Sequence, residues 1–151
     1  MKLKNYNSAI ILPYKECFSF KNFGAVSIWV NDYLKNSKKS NDLIYCTKLN
    51  NDQIYLRKNV APISIEGKFF TNSKYIKKIS LDIIKKNIDV VEIHNRPEYV
   101  FYLIKKNLNI KINLVFHNDP NTTKYSDSIV KKKILLNRCN KIIFVSKWVK
   151  E

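Results

Sequence analysis

Two tetrapeptides, His94-Asn95-Arg96-Pro97 and His117-Asn118-Asp119-Pro120, contain both histidines of the chain, and each passes through polar residues to a proline. Imidazole is the side chain that gains or loses a proton nearest neutral pH, so a histidine in a cleft can act as acid or base or hydrogen-bond a substrate hydroxyl. Each histidine also has a plainer use, capping a strand through hydrogen bonds to neighbouring backbone. Asp119 and Glu98 are the carboxylates nearest to them in sequence, and their spacing forms no paired acid and base. Glu92 lies within the apolar run Val90 to Ile93. A carboxylate buried there needs a partner, for which Arg96 or a lysine of a neighbouring strand is expected, unless one face of the strand is exposed.

The residues preceding each tetrapeptide explain why the two are comparable. Ala9 to Leu12, Leu43 to Cys46, Val90 to Ile93, Ile112 to Phe116 and Ile142 to Val145 are short apolar runs, as expected of strands in a parallel sheet covered on both faces. Both histidines therefore follow directly on strand carboxyl ends, where ligands bind in open α/β sheets because loops and helix N-termini converge there.

Between the runs the spacing turns helical. Val26, Trp29, Val30, Tyr33 and Leu34 form one apolar face after Gly24, and Ile76, Ile79 and Ile83 another within Ser73 to Lys86, widened by Tyr75 and Ile84. Pro97 suits a first helical turn, predicting a helix through Val100, Phe101 and Ile104 that Asn95 or Arg96 would cap. A further helix is expected over Ser128 to Arg138, capped by Ser126 or Asp127, with Ile129, Val130, Ile134 and Leu135 inward and Lys131 to Lys133 solvated. The segment Asn50 to Phe70 is less legible; Asn59 to Ile63 adds a candidate strand, while Pro62 and Gly67 argue for turns nearby. Ser146 reads as the cap of a helix begun by Lys147-Trp148-Val149-Lys150-Glu151, and a chain stopping inside an element is expected of a piece of something longer. The alternation predicts one α/β domain over residues 1–151, Rossmann-like and doubly wound on a mostly parallel sheet.

Composition bounds the function. The formal charge of +16 favours phosphates, nucleic acids or anionic headgroups as partners, although a chain rich in Lys, Asn and Ile with two glycines is also what an AT-rich genome imposes. Cys17, Cys46 and Cys139 form no CxxC pair, so neither a disulfide framework nor a metal site is expected, and the thiols should be reduced and mostly buried. No run approaches the ~20 apolar residues of a membrane span, and the start lacks a secretory apolar stretch, so a cytoplasmic protein is expected. Phe23-Gly24-Ala25 lacks the glycine patterns of dinucleotide and P-loop sites, which argues against a dehydrogenase or an NTPase. Gly24 can still let a phosphate or sugar approach the backbone at a helix start, or simply make a tight turn.

Phe23-Gly24-Ala25 opening an amphipathic helix, Asp89 through Pro97, Val115 through Pro120 and Ile142 through Trp148 resemble, in order and spacing, the acceptor-side domain of retaining GT-B glycosyltransferases. They are most similar to the bacterial group-one, family-four type transferases that build lipopolysaccharide, capsule and other surface glycans. The resemblance runs from Ile10 to Glu151. It implies a second, donor-binding domain beyond this chain, a nucleotide-sugar donor (UDP- or GDP-sugar) with no other cofactor here, and a glycan or lipid-linked glycan acceptor. It implies that His117 is the catalytic-centre residue, hydrogen-bonded to the transferred sugar, that Gly24 and Ala25 approach the donor phosphates, and that His94, Asn95, Arg96, Asn118 and Asp119 shape the acceptor side. It further implies an enzyme that is inactive as this fragment and peripheral on anionic membrane, through Ser73 to Lys86 or the lysines around Lys131. Many relatives carry two glycines and an acidic residue in the first loop, where this chain has Phe23-Gly24-Ala25-Val26.

Two other functions fit the same residues. One is a basic α/β module holding nucleic acid or another polyanion through its lysines, although these are scattered and no RNP-like aromatic pattern or helix-turn-helix stands out. The other is a non-catalytic small-molecule-binding domain, which would not need His117.

Overall fold

The computed structural model describes residues 6–37, 41–49 and 54–150. Expectations about the chain start, about residues 50–53 and about Glu151 fall outside them. The architecture is α/β, with a six-stranded sheet, parallel in its strand pairings, and helices in the connections, as in a Rossmann-like doubly wound fold. The chain divides into two compact units, Met1–Ile88 and Asp89–Glu151.

The first unit contains β1 (Ser8–Ile11), α1 (Ala25–Asn36), β2 (Leu43–Thr47), β3 (Val60–Ile63) and α2 (Thr71–Lys85). Its strands run in the order β3-β2-β1, with Ile10 beside Ile44 and Cys46 beside Pro62. The core gathers Ile10, Leu12, Phe18, Val26, Val30, Leu34, Ile44 and Cys46, each large aliphatic contributing about 1.5–3 kcal/mol by leaving water. The candidate strand Asn59 to Ile63 is present as β3 with Pro62 inside it, and β3 ends the strand order. An outermost strand tolerates the missing N–H, and the turn falls at Gly67, whose φ of +82° suits glycine.

The α1 stripe is as expected, with Val26, Val30 and Leu34 buried. In α2, Tyr75, Ile76, Ile79 and Ile83 are buried, but Ile84 is exposed and does not widen the stripe. The helix begins at Thr71 rather than Ser73, after Phe70 in the left-handed region. It docks on β2 through the buried Tyr45, whose hydroxyl donates to Asp82 at 2.8 Å. Burial first, and that carboxylate second, push the phenol's pKa upward, so it stays protonated as a donor.

The second unit contains β4 (Val90–His94), α3 (Pro97–Lys105), β5 (Lys111–Phe116), α4 (Ile129–Arg138), β6 (Lys141–Phe144) and a last turn α5 (Lys147–Lys150). Its strands run in the order β4-β5-β6, with His94 beside Val115 and Phe116 beside Phe144. Pro97 occupies the first turn of α3 as expected, and Arg96 is the capping position, with no side-chain cap bond. Ser146 accepts from the backbone N–H of Val149 at 3.2 Å, as its expected capping role requires.

Helix α4 differs from expectation in its cap and in its face. Ser128 caps it, accepting from the N–H of Lys131, whereas Ser126 is buried and donates to the carbonyls of Pro120 and Thr123. Ile129, Val130 and Leu136 are 73%, 69% and 67% exposed, Ile134 is exposed as well, and Leu135 alone of the helix is buried. The reason lies in the sequence, whose apolar residues are spread over several sides of this helix among Lys131 to Lys133, Asn137 and Arg138, so periodicity could not choose the buried side. Cys17 and Cys46 are buried free thiols, as expected, and Cys139 is partly so. No helix among the described residues is long and apolar enough to cross a membrane.

The orientation of α4 is testable by denaturant unfolding. Leu135→Ala should cost about 2–5 kcal/mol, the range for emptying a buried leucine site, while the neighbouring Leu136→Ala should stay within about 0.5 kcal/mol of wild type.

Candidate functional site

The site is built where β4 and β5 end. In a strand, residues two apart share a face, so Glu92 and His94 project from the same side of β4. Both are buried, His94 completely. Nε2 of His94 lies 2.9 Å from Oε1 of Glu92, and its Nδ1 lies 2.9 Å from Nε2 of His117, the residue that follows β5. The two imidazoles are tilted by 34° with centroids 5.2 Å apart. A carboxylate and two histidines thus form a continuous hydrogen-bonded chain from the strand interior to a half-buried ring.

The expected partners of Glu92, Arg96 or a lysine, are thereby corrected, because the carboxylate is paired with His94 instead. The signal for this pairing was the i, i+2 spacing on a strand, which sequence reasoning did not use.

Asn95 adopts the left-handed conformation, φ +55°, which asparagine tolerates better than most residues. Its backbone N–H donates to the carbonyl of Val115 at 2.7 Å, and its side-chain Oδ1 accepts from the backbone N–H groups of His117 and Asn118, each at 3.3 Å. One residue therefore ties the two tetrapeptides together. Arg96 donates from a terminal guanidinium nitrogen to the carbonyl of Asn95 at 3.2 Å, while its Nε is buried without a hydrogen-bond partner. Asp119 turns the next loop, accepting from the N–H of Asn121 at 2.7 Å, and Asn118 is exposed.

Of the residues expected on the acceptor side, Asn118 is the exposed one at the surface of the unit, and His94 and Asn95 are buried supports behind His117. His117 itself is held well below the ordinary imidazole value of 6.5, at about 4, by burial first and by the neighbouring His94 second, with Glu92 opposing both. It is accordingly neutral at physiological pH. Among the described residues, no three His, Cys, Asp or Glu side chains are grouped to hold a metal ion.

The first unit carries the other expected contact. Gly24 caps α1, and a Cβ built on it would lie 2.3 Å from a carboxylate oxygen of Glu16, so glycine is needed for this close approach. Glu16 also accepts from the Ser27 hydroxyl at 2.8 Å. The space at the helix start expected to receive a phosphate is thus occupied by an internal carboxylate. Glu16 reaches it from within the same β1–α1 connection, through a fold of that loop that no sequence spacing announces.

No protein-family model, no curated protein sequence and no solved structure matches this chain.

Two predictions follow from the geometry. Asn95→Gly, which keeps the backbone free but removes the shared acceptor, should lose about 1 kcal/mol, and Asn95→Ala, strained as well, about 2 kcal/mol, as read by urea unfolding. For His117 the folded value of about 4 lies below the unfolded 6.5, so the unfolded chain takes up the proton first as pH falls. Its contribution to stability is complete above 6.5 and is lost as pH falls toward about 4. Over that window stability should decline less steeply in His117→Asn than in wild type.

Proposed function

We propose that the chain is the acceptor-side domain of a retaining GT-B glycosyltransferase, moving a sugar from a UDP- or GDP-sugar to a glycan or lipid-linked glycan. The observation that carries this reading is the neutral His117 held at the end of the Glu92–His94 chain, beside the carboxyl end of β5. A neutral imidazole with its partners fixed suits hydrogen bonding to a hydroxyl, and it offers a polyanion no charge. The +16 of the chain resides in lysines and arginines instead, which favours the transferase over the nucleic-acid module as a reading of this particular site.

In the proposed reaction His117 positions the transferred sugar, and basic groups of the donor-binding domain stabilise the leaving diphosphate. Contact of that diphosphate with Gly24 and Ala25 requires the Glu16 carboxylate to swing aside. Asn118, Arg96 and Asp119 form the polar rim on which an acceptor would rest, with His94 and Asn95 supporting it from behind.

The test uses the full-length gene product, including any sequence beyond Glu151, with a panel of UDP- and GDP-sugars. Release of nucleoside diphosphate that falls about a hundredfold or more in His117→Ala supports the reading. No release from any donor, together with a salt-sensitive RNA gel shift, would replace it with the polyanion-binding module.

Within the same reading the anionic membrane contact belongs on α4 rather than on α2. The exposed Ile129, Val130 and Leu136 stand beside Lys131 to Lys133, an apolar and basic combination suited to a headgroup layer at about 1 kcal/mol per basic residue. Co-sedimentation should show binding to vesicles containing phosphatidylglycerol, weakened by Val130→Asp with Leu136→Asp. Equal binding of that double variant would remove α4 from the contact.

A further inference from the structure

We propose that the cavity between α4 and β6 binds a single-chain alkyl or acyl phosphate, at a place lined by none of Glu92, His94 and His117. Its volume is about 530 Å³, inside the range of about 300–1,000 Å³ usual for small-molecule sites. The cavity exists because α4 stands off the sheet. Leu135 alone of that helix is buried, and β6, the last strand of the order, keeps Ile142 and Phe144 half-buried beneath it.

The floor is apolar and elongated. Residues two apart on a strand share a face, so Ile142 and Phe144 lie on the same side of β6. Phe144 has Phe116 of β5 as its register partner, and the two rings stack with centroids 5.7 Å apart and an interplanar angle of 12°. Leu135 and Leu136 line the cavity from α4. The lining along the strand runs from Asn140 to Phe144, roughly 13 Å at about 3.3 Å per residue, which suits an extended hydrocarbon chain better than a compact ring. Leu136 and Lys141 are exposed, so the cavity is open to solvent where a chain would enter.

The charged groups choose the head. Lys132 and Lys141 line the cavity, and among the described residues no Asp or Glu does. The Cys139 thiol on the same wall is pushed up to about 11 by burial, so it brings no negative charge either. Lys132 reaches from α4 to the Oδ1 of Asn121, which uses one of its three ammonium protons and holds the cation at the cavity. Lysine meets phosphate as a point charge and needs no bidentate geometry. An apolar floor whose only charges are positive therefore fits an amphiphilic anion and rejects a cationic one. This site goes beyond the transferase reading and does not depend on it.

The test is a titration of the 15N-labelled chain with dodecyl phosphate below its micelle concentration, followed through the backbone amide shifts. The expected shifts cluster at Pro120 to Asn121, along α4 from Lys132, and along β6. Octyl phosphate should bind more weakly by about tenfold or more, because each buried methylene is worth roughly a threefold change in affinity. Inorganic phosphate, which lacks the chain, and dodecyltrimethylammonium, which has the wrong charge, should leave these amides in place. Replacing both cations in Lys132→Gln with Lys141→Gln should weaken dodecyl phosphate on the order of tenfold. Leu136→Asp, which adds a carboxylate to the lining, should abolish binding, whereas Val130→Asp, outside the lining, should not; this separates the cavity from the vesicle contact of α4. No shifts in wild type, an equal response to dodecyltrimethylammonium, or shifts spread through the cores of both units as a denaturing detergent gives, would each overturn the proposal. Unchanged binding by the double lysine variant would overturn it as well. Because no sugar is present, failure here leaves the transfer assay unaffected, and a donor panel without turnover leaves the cavity result in place.

Discussion

A fully enclosed imidazole must satisfy both of its nitrogens or pay about 1–3 kcal/mol for each one left without a partner. His94 meets that requirement with Glu92 on one side and His117 on the other, and much of the second unit is arranged around it. Glu92 has to lie on the same face of β4, two residues back. The register that sets His94 beside Val115 brings His117, two residues beyond Val115, within reach of its ring. Asn95 has to turn left-handed so that its side chain can hold the loop in which His117 sits. Each of these is an ordinary local choice, and together they leave a single half-buried histidine facing outward.

The electrostatics of the two units differ in a way that bears on function. The chain carries +16 overall, yet the histidine at the end of the hydrogen-bonded chain is neutral, and the helix start at Gly24 is already supplied with the Glu16 carboxylate. A polyanion attracted by the general field would therefore find its charges met by lysines and arginines at the surface rather than by these two places. The α4 helix, apolar on exposed turns and lysine-rich between them, is where that field and an apolar surface coincide.

Much of the fold was legible because buried parallel strands announce themselves: Leu43 to Cys46 is wholly apolar, Val90 to Ile93 and Ile112 to Phe116 are apolar apart from Glu92 and Asn113, and the strands fall on these runs within a residue. The placement of both histidines at strand ends followed directly. What sequence reasoning missed has two causes. Helix α4 is apolar on several sides, so nothing local could say that Leu135 would be buried and Val130 exposed. The partner of Gly24 depends on how its own loop folds, whereas the Glu92–His94 pair did carry a local signal in its strand spacing. Pro62 shows the same lesson in reverse, a turn residue accommodated in β3 because that strand ends the order.

A His117 held neutral by burial and by its neighbours must show this in its own titration. Following its ring resonances by NMR as pH is lowered, with His117→Asn to identify them, should give a midpoint near 4, far below the ordinary 6.5. A midpoint at 6.5 or above would instead mean that His117 is open to solvent or charged in its native surroundings, and would overturn its assignment as a neutral hydrogen-bonding ring.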